Sequence, residues 1–400
     1  MNILVVSQYY YPENFQVTPI CEQLVKDGHK VTVLTGLPNY PKGEVLPEYT
    51  DGKRREENIN GVHVIRCYER GRKKGAVNLG INYLSFCISS LLKIRKLKGD
   101  FDCIFVYQLS PVIMGLAARY YAKKRNLPLY LYCCDLWPES IKMYIKSENN
   151  IAYKIIKKIS KYIYDACDVI SVQSKTFIEY FKDVHNIDEK NLIYIPAFAD
   201  GGYLAKNYKL DNGITDFVFL GNIGIAQDLG SVIAAVDLIR DCDFKLHIVG
   251  DGSYLEELKR IVKAKALEDK VIFYGRRPVE EMEDFYRLAD ACLVSLKADN
   301  KTGLTLPAKV QGYMAAGKPV IGMIDGAANN VIKEAQAGDC VNAGNIYGLA
   351  NIMKDFISNK DKFASCGDNG RKYFIDNFKK EIIVNQIEDV LYKLKNRLER

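Results

Sequence analysis

Apolar runs of the strand type alternate with segments of helical periodicity along this chain, and the alternation starts again near its middle. Ile3–Ser7 and Val31–Leu34 predict strands on either side of a helix at Pro19–Asp27, and Asp216–Leu220 opens a second series. Strands that are buried on both faces are typical of parallel sheets covered by helices. The alternation therefore predicts an α/β protein with two doubly wound, Rossmann-like domains whose ligand loops face a central cleft.

The length of 400 residues agrees with two domains, since a domain usually has about 100–200 residues. We expect a first domain over residues 1–200, a polar linker over 201–215 and a second domain over 216–378. Residues 379–400 contain an amphipathic helix. Its apolar positions near one face are Ile383, Ile387, Val390, Leu391 and Leu394.

The N-terminus and the cysteines indicate a cytoplasmic chain. Residues 1–12 contain no basic segment and no small-residue cleavage site, so they predict a buried strand rather than a signal peptide. The 11 cysteines form no CxxC pair with the spacing of a metal site. We therefore expect reduced, mostly buried thiols.

Basic residues are concentrated in the first half of the chain. Residues 1–200 carry 28 Lys and Arg against 21 Asp and Glu, whereas residues 201–400 carry 28 against 28, so the first half holds the whole net charge of +7. An excess of basic residues in one half of a chain predicts an anionic partner, namely nucleic acid, a phosphorylated lipid or an anionic membrane surface. Because no nucleic-acid-binding motif accompanies the charge, we expect the membrane surface and no nucleic acid.

The segment Ala76–Leu92 has no charged residue over 17 positions and is flanked by RGRKK and KIRKLK. It is at the short limit for a helix that spans a bilayer, and it contains two Asn and three Ser. Two interpretations stay open: an amphipathic helix that lies in the membrane interface, or a core helix of the first domain. Arg119–Leu127 and Tyr153–Tyr164 add basic, tyrosine-rich surface to the same half.

Two loops of the first half follow predicted strands and are candidates for ligand binding. An aromatic loop over residues 8–19 follows the first strand, and Asp135 and Trp137 follow the strand Leu129–Cys133. Open α/β sheets bind ligands at the carboxyl ends of their strands. Asp135 is thus a candidate site residue, and the alternative is a helix N-cap ahead of Pro138.

Glycine-containing turns follow the predicted strands of the second half in the same way. Three strands, which end at residues 220, 249 and 274, each run into such a turn. The first turn lacks the three-glycine fingerprint of a dinucleotide site, so the signal is a weak one. Since parallel strand ends meet at one edge of a sheet, we expect the turns to gather there with Lys309. The turn residues are Gly221, Asn222, Gly224, Gly250, Asp251, Gly252, Gly275, Arg276 and Arg277.

The stretch from Gly303 to Gly322 predicts a loop, a short helix and a strand. Gly303 and Pro307 fall in the loop, and Lys309 opens the helix. Gly317 is suited to end that helix with a positive φ. Free amides at a helix start, with a lysine in the first turn, are typical of an anion site. The alternative is an ordinary loop–helix–strand unit of an α/β domain.

The chain lacks sequence features that two other enzyme classes need. No GxGxxG follows the first strand, which argues against a dehydrogenase. A sugar-nucleotide epimerase or hydrolase needs an acid–base pair, and the four histidines are scattered along the chain. His247 lies inside an apolar strand and is interpreted as a core residue.

Five stretches occur in order along the chain: QYYYPENF, TGLPNYPKGE, DLWPES, FLGNIGIAQDL and LPAKVQGYMAAGKPV. Together they resemble the family-four glycosyltransferases with the two-Rossmann (GT-B) fold. Within that family, the chain is similar to enzymes that transfer N-acetylated deoxyaminosugars, of the N-acetylfucosamine type, in bacterial surface-polysaccharide assembly.

The resemblance implies a nucleoside-diphosphate sugar in the C-terminal domain and an acceptor in the N-terminal domain. It implies that the base lies near Gly275–Pro278, and that the diphosphate lies on amides of Gly221–Gly224 and of Thr305, Leu306, Pro307 and Ala308. It also implies retention of the anomeric configuration without a protein nucleophile, metal or other cofactor. The C-terminal helix of this fold crosses back to the first domain.

The chain departs from the family at five positions. Two glutamates that contact the donor sugar and ribose are replaced by Leu304 and Gly312. The arginine and lysine of the first C-terminal loop are replaced by Asn222 and Gln227, and a histidine by Cys134. Lys309 remains for the diphosphate, with Arg276 or Arg277 in reach.

These expectations combine into a retaining transferase that moves a sugar from a UDP-sugar to an undecaprenyl-pyrophosphate-linked saccharide. Asp135 would orient the sugar or acceptor, and Lys309 would balance the diphosphate charge. The enzyme would lie on the cytoplasmic face of the membrane. The alternative is a degenerate homologue that binds a sugar nucleotide or a partner enzyme without turnover.

Overall fold

The computed structural model describes residues 1–142, 144–145, 147–208, 210, 212–298 and 304–398. Gly303, which was predicted to lie in a loop, falls outside the described residues. The chain divides into two compact units, one formed by Met1–Ile195 with Val384–Arg400 and the other by Pro196–Ile383. Each unit is built around one sheet.

The first unit contains an eight-stranded sheet in the order β3-β4-β2-β1-β5-β6-β7-β8. Its pairs are parallel except for β3 with β4. The strands are β1 Asn2–Val6, β2 Lys30–Thr35, β3 Glu56–Ile59, β4 Val62–Arg66, β5 Cys103–Gln108, β6 Leu129–Cys133, β7 Val169–Val172 and β8 Leu192–Tyr194. The helices are α1 Val17–Lys26, α2 Ala76–Arg95, α3 Gly115–Arg125, α4 Ile151–Tyr164 and α5 Lys175–His185.

The second unit contains a six-stranded, wholly parallel sheet in the order β11-β10-β9-β12-β13-β14. The strands are β9 Thr215–Leu220, β10 Phe244–Val249, β11 Val271–Gly275, β12 Ala291–Ser295, β13 Val320–Met323 and β14 Gly338–Val341. The helices are α6 Leu229–Leu238, α7 Leu255–Ala264, α8 Met282–Leu288, α9 Ala308–Ala315, α10 Gly326–Glu334, α11 Ile346–Ser358 and α12 Cys366–Asn377. The prediction of two doubly wound, Rossmann-like α/β domains is thus confirmed.

Burial explains why the central strands were visible in the sequence. Every residue of β5, β6 and β9 is buried, and each strand consists mostly of apolar or aromatic residues. Burying one large apolar side chain stabilises a fold by about 1.5–3 kcal/mol, and these strands contribute several each. The edge hairpin of β3 and β4 escaped prediction because β3 has the sequence EENI and contains no fully buried residue.

The polar stretch 201–215, predicted to be a linker, belongs by its contacts to the second unit. Tyr208 is buried there, and its carbonyl accepts a hydrogen bond from the Lys318 ammonium. The same ammonium donates to the Ala289 carbonyl over 2.7 Å. A polar sequence therefore does not make this stretch a free connection.

The last helix, α13, spans Lys380–Leu398, and from Val384 onwards it groups with the first unit. Its apolar face is buried, as the periodicity predicts. Glu388 accepts a 2.6 Å hydrogen bond from His29 Nε2, and the Lys395 ammonium lies 3.3 Å from Asp102 Oδ1. The polar side of α13 is therefore also tied to the first unit.

Helix α2 is buried on one face only, so it is part of the core of the first unit without being enclosed by it. One face is buried, with Asn82, Phe86 and Ser90 fully enclosed. The opposite face exposes an apolar stripe made of Val77, Ile81, Leu84, Ile88 and Leu92. By length and composition alone α2 could cross a membrane, but core helices of other proteins meet the same criteria. In α2, 28% of the most apolar 18-residue window is buried.

His247 is a satisfied core residue, in agreement with its position in an apolar strand. It is buried in β10, where Nε2 lies 2.8 Å from Asp216 Oδ1 and Nδ1 lies 2.9 Å from the Tyr274 hydroxyl. Both ring nitrogens are thus engaged within the second unit.

Candidate functional site

The glycine turns of the second unit meet at the carboxyl ends of β9, β10 and β11. The Gly221 amide donates to the Val249 carbonyl, and the Gly250 amide donates to the Gly275 carbonyl, each over 2.9 Å. A cavity of about 360 Å³ opens beside them. It is lined by Gly221, Asn222, Val249, Gly250, Asp251, Arg276, Arg277 and Met282.

Two of these glycines have positive φ angles that favour glycine, and at Gly250 the backbone also approaches closely. Gly250 has φ 144°, and a Cβ atom on it would lie 1.8 Å from the Gly221 carbonyl oxygen. Gly221 has φ 133°, and a Cβ there would lie 3.1 Å from the Lys309 Nζ atom. The turns therefore present bare backbone to the cavity, which suits the close approach of a phosphate.

Asn222 and Gln227 stand where the resembled family has basic residues, and here they bind the loop instead. Gln227 Oε1 accepts hydrogen bonds from the Gly224 amide over 3.0 Å and from Asn222 Nδ2 over 3.2 Å. The Gln227 carbonyl accepts one from Ser295 Oγ over 2.5 Å. Gln227 is not among the lining residues of the cavity. The described loop thus keeps its shape without supplying a cation.

Lys309, in the first turn of α9, supplies a cation from another element. Its Nζ atom is buried, has no hydrogen-bond partner among the described residues, and lies 3.7 Å from the centroid of the Phe219 ring. Burial lowers the pKa of this ammonium to about 7. A buried lysine with no counterion among the described residues is costly. The Lys309 ammonium lies beside Gly221, although Lys309 is not among the residues that line the 360 Å³ cavity.

The loop before α9 has the predicted character. The helix begins at Ala308, with Pro307 as its N-cap residue in an extended conformation, and Gly317 after its end has φ 67°. Thr305 and Ala308 are exposed, while Leu306 is partly buried. These loop residues are not among those that line the 360 Å³ cavity.

The Gly275–Pro278 turn contributes only its two arginines to the cavity. Arg276 is exposed, and Arg277 donates from Nε to the Tyr274 carbonyl over 3.1 Å and lies 3.6 Å from Glu281. Pro278 precedes a 3₁₀ turn, and Gly275 has φ 67°. The two guanidinium groups therefore lie at the solvent-exposed edge of the cavity.

The resembled family has a glutamate at the position of Gly312, and in this structure another residue fills the space beside the glycine. A Cβ atom on Gly312 would lie 3.0 Å from the Tyr286 hydroxyl. Tyr286 is buried in α8 and packs on the rings of Tyr203 and Tyr313. The space that a longer side chain at 312 would enter is therefore filled by a tyrosine, a pairing that is visible only in three dimensions.

Asp135 lies at the carboxyl end of β6 in the first unit and is partly buried. Its Oδ2 accepts a 2.7 Å hydrogen bond from Ser110 Oγ, which in turn accepts one from Trp137 Nε1 over 3.1 Å. The 3₁₀ turn after Pro138 has no side-chain cap, so Asp135 is not its N-cap. This carboxylate is instead held in a defined orientation by a polar chain.

A buried polar cluster in the first unit was missed in the sequence. Glu69 is 1% exposed, and its Oε1 accepts from Gln8 Nε2, Asn39 Nδ2 and Asn82 Nδ2 over 2.8, 3.0 and 2.7 Å. Burial raises the pKa of Glu69 to about 8. The positions of these residues could have indicated the cluster. Three of them each follow a strand of the same sheet: Gln8 follows β1, Asn39 follows β2 and Glu69 follows β4.

Replacing Glu69 by glutamine is expected to stabilise the protein increasingly as the pH rises. The folded pKa is raised above the ordinary value of 4.5, so the wild-type protein loses stability as the pH rises from there to about 8. The isosteric amide does not titrate, and we expect the difference in unfolding free energy to widen by about 3 kcal/mol between pH 5 and pH 8.

Urea unfolding of both proteins at several pH values measures this difference. The exposed Glu48→Gln variant is the matched control and should follow the wild-type curve. Parallel curves for Glu69→Gln and the wild type would show that folding does not raise the pKa of this carboxyl group.

No group of three or more His, Cys, Asp or Glu among the described residues could hold a metal ion. The 11 cysteines are free, and all but Cys242 are buried.

Both halves of the chain match models of known protein families. Residues 16–200 match the model of Glycosyltransferase Family 4, and residues 205–373 match that of Glycosyl transferases group 1. WbjE of Pseudomonas aeruginosa, named as a probable glycosyltransferase, is 23% identical over 68% of this chain and 70% of its own length. WcaI of Escherichia coli (strain K12), named for a glycosyl transfer step in colanic acid biosynthesis, is 23% identical over 79% of this chain and 82% of its own.

A solved structure with the same fold is Anabaena Alr3699/HepE in complex with UDP. The two chains superpose with a TM-score of 0.70 at 15% identity, over 98% of this chain and all of the other. The two family matches and this fold agree with the two parallel sheets and with the glycine turns described above. The protein is therefore a glycosyltransferase of the group 1 type with a GT-B fold.

Proposed function

We propose that the protein is a retaining glycosyltransferase that moves a sugar from a UDP-sugar to a lipid-linked saccharide in bacterial capsule or O-antigen synthesis. The observation that carries the proposal is the buried Lys309 ammonium, which lies beside the bare backbone of Gly221 and has no hydrogen-bond partner among the described residues. A cation that is left without a partner in the free protein is poised for an anionic ligand.

A UDP-sugar is the proposed donor because HepE, which shares the fold, is solved with UDP. The diphosphate would lie on the turn that begins at Gly221, and the uracil would lie towards Gly275–Pro278. The sugar is proposed to be an N-acetylated deoxyaminosugar, as the LPAK stretch at the start of α9 suggests. Such a donor has fewer hydroxyl groups to recognise, which suits the absence of a glutamate at Leu304.

The proposed chemistry requires no nucleophile from the protein and no metal. The bond between the anomeric carbon and the diphosphate oxygen breaks, and the acceptor oxygen bonds to the same face of that carbon. The departing diphosphate takes the proton of the acceptor hydroxyl. The protein lowers the barrier by stabilising the negative charge that develops on the diphosphate, which is the task of Lys309 and the nearby amides. Asp135 orients the acceptor.

The acceptor is proposed to be an undecaprenyl-pyrophosphate-linked saccharide at the cytoplasmic face of the membrane. The excess of basic residues in the first half favours an anionic surface. The exposed apolar stripe of α2 would enter the interface, with Arg72, Lys73, Lys93 and Arg95 near its two ends.

The double variant Ile88→Asp/Leu92→Asp is expected to bind anionic phospholipid vesicles at least about 10-fold more weakly than the wild type. Each of these side chains is more than half exposed, and an apolar side chain of this size contributes about 1.5–3 kcal/mol when it leaves water. Vesicle sedimentation at two salt concentrations measures the effect. Val279→Asp, on an exposed residue of the second unit, is the control. Unchanged sedimentation of the double variant would exclude α2 from membrane contact.

Calorimetry of the full chain with UDP, ADP and GDP tests the proposal as a whole. We expect UDP to bind preferentially, and UDP-sugars to be turned over in the presence of a lipid-linked acceptor. If none of the nucleotides binds, the donor assignment fails.

A second candidate function is binding of a sugar nucleotide without turnover. This candidate is favoured by the space beside Gly312, which the Tyr286 hydroxyl fills. A neighbouring residue therefore has no room to supply the carboxylate that the resembled family has at this position. UDP binding together with a complete lack of transfer to any acceptor would support this candidate.

A further inference from the structure

An apolar cavity of the first unit lies at the carboxyl ends of its central strands. Its volume is about 750 Å³, within the range of about 300–1,000 Å³ that is usual for small-molecule sites. Tyr9 follows β1, Ser110 follows β5 and Asp135 follows β6, and all three line the cavity. Helices α2 and α4 provide the outer walls, through residues such as Leu79 and Ile159.

The lining is unlike that of a site for a saccharide alone. Of the 21 described residues that line the cavity, only Arg72 and Asp135 carry a charge, and most of the others are aliphatic or aromatic. The Arg72 guanidinium lies 5.7 Å from the centroid of the Tyr40 ring. Sugar hydroxyl groups need hydrogen-bond partners when they are buried, and the aliphatic part of the wall, which includes Leu79, Ile156 and Ile159, offers none.

The cavity is continuous with the exposed stripe of α2. Leu84 belongs to both, since it lines the cavity and is 55% exposed. On the other side, α4 lines the cavity with Ile156 and exposes Ile155. A hydrocarbon chain could therefore pass from the exposed apolar surface into the cavity without crossing a polar region.

We propose that this cavity binds the prenyl chain next to the diphosphate of the lipid-linked acceptor. The inference rests on the proposed function and adds to it a site for the lipid rather than for the sugar. The apolar walls bind the chain, Arg72 pairs with the diphosphate, and Asp135 with Ser110 faces the saccharide. One cation, one oriented carboxylate and an apolar interior match the three chemical parts of such a molecule.

Trp137 provides a direct measurement of occupancy because it is the only tryptophan of the chain and lines the cavity. Its ring lies 6.5 Å from that of Tyr83, another lining residue. Farnesyl diphosphate is the probe, and inorganic diphosphate is the comparison without a chain. We expect farnesyl diphosphate to change the tryptophan emission at a concentration at least about 10-fold lower than inorganic diphosphate does.

Gly80→Leu tests the location of the chain. Gly80 lines the cavity, and a Cβ atom on it would have no neighbour within 4 Å, so a leucine extends into the free volume without a clash. We expect this variant to weaken farnesyl diphosphate binding at least about 10-fold, while Gly80→Ala, the matched control, stays near the wild type. Equal binding by the two variants, or equal binding of the two probes, would overturn the proposal.

UDP binding, measured on the same samples, separates this inference from the proposed function. If UDP binds but farnesyl diphosphate does not affect Trp137, the lipid site is wrong and the donor site stands. If farnesyl diphosphate binds as expected but UDP does not, the lipid site stands and the donor assignment is wrong.

Discussion

Replacing Lys309 by methionine is expected to weaken UDP binding by about 100-fold, which corresponds to about 3 kcal/mol. The Nζ atom is buried beside Gly221 with no hydrogen-bond partner among the described residues, so the diphosphate would be its first counterion. Methionine keeps the apolar stem of the side chain and its packing on Phe219 but removes the charge. Calorimetry with UDP measures the loss, and the exposed Lys259→Met variant is the control.

The same lysine predicts the pH dependence of UDP binding. The pKa of about 7 in the free protein means that the charged form is lost as the pH rises through 7. A bound diphosphate favours the charged form, so its binding takes up a proton, and the affinity should fall by up to about 10-fold per pH unit above pH 7. Calorimetry in buffers with different ionisation enthalpies detects the proton. A flat profile between pH 7 and pH 9 would contradict the assignment.

Stability separates this effect from damage to the fold. The folded pKa of Lys309 is lowered from 10.5, so the wild-type protein loses stability as the pH falls through that range to about 7. Lys309→Met removes the buried charge and is expected to be more stable than the wild type by about 2 kcal/mol at pH 7. Weaker binding in a more stable protein would identify Lys309 as a binding residue.

Replacing Asp135 by asparagine is expected to lower the rate of sugar transfer by about 100-fold and to leave UDP binding unchanged. The amide has the shape of the carboxylate, and its oxygen still accepts the hydrogen bond from Ser110. What is lost is the negative charge that orients the acceptor hydroxyl group. Steady-state transfer to a lipid-linked acceptor, with UDP calorimetry on the same sample, measures both quantities.

Ser110→Ala provides the matched comparison for Asp135. It removes the hydroxyl that holds Asp135 Oδ2 and leaves the charge, so we expect a smaller loss of about 3–10-fold. An Asp135→Asn variant that transfers sugar at the wild-type rate would show that this carboxylate has only a structural role.

The elements that could be predicted are those whose signal is local. β6 was predicted with its exact bounds, and β9 and β10 to within one residue, because each is a short buried run ended by a polar or glycine turn. The β3 and β4 hairpin and β14 were not predicted. β3 lies at the edge of its sheet with charged residues, and β14 includes a glycine and an aspartate that interrupt the apolar pattern.

The amino-acid sequence by itself determined that the chain has two mainly parallel sheets, that glycine turns end the strands of the second, and that Lys309 lies in the first turn of a helix. These features depend on runs of neighbouring residues. Only the tertiary structure decided that the Lys309 ammonium is buried with no hydrogen bond to the part of the chain that the structure describes, that Tyr286 fills the space beside Gly312, and that Glu69 is enclosed by three amides. The reason is physical: burial, and the pKa shifts that follow from it, depend on groups that are brought together from distant parts of the chain.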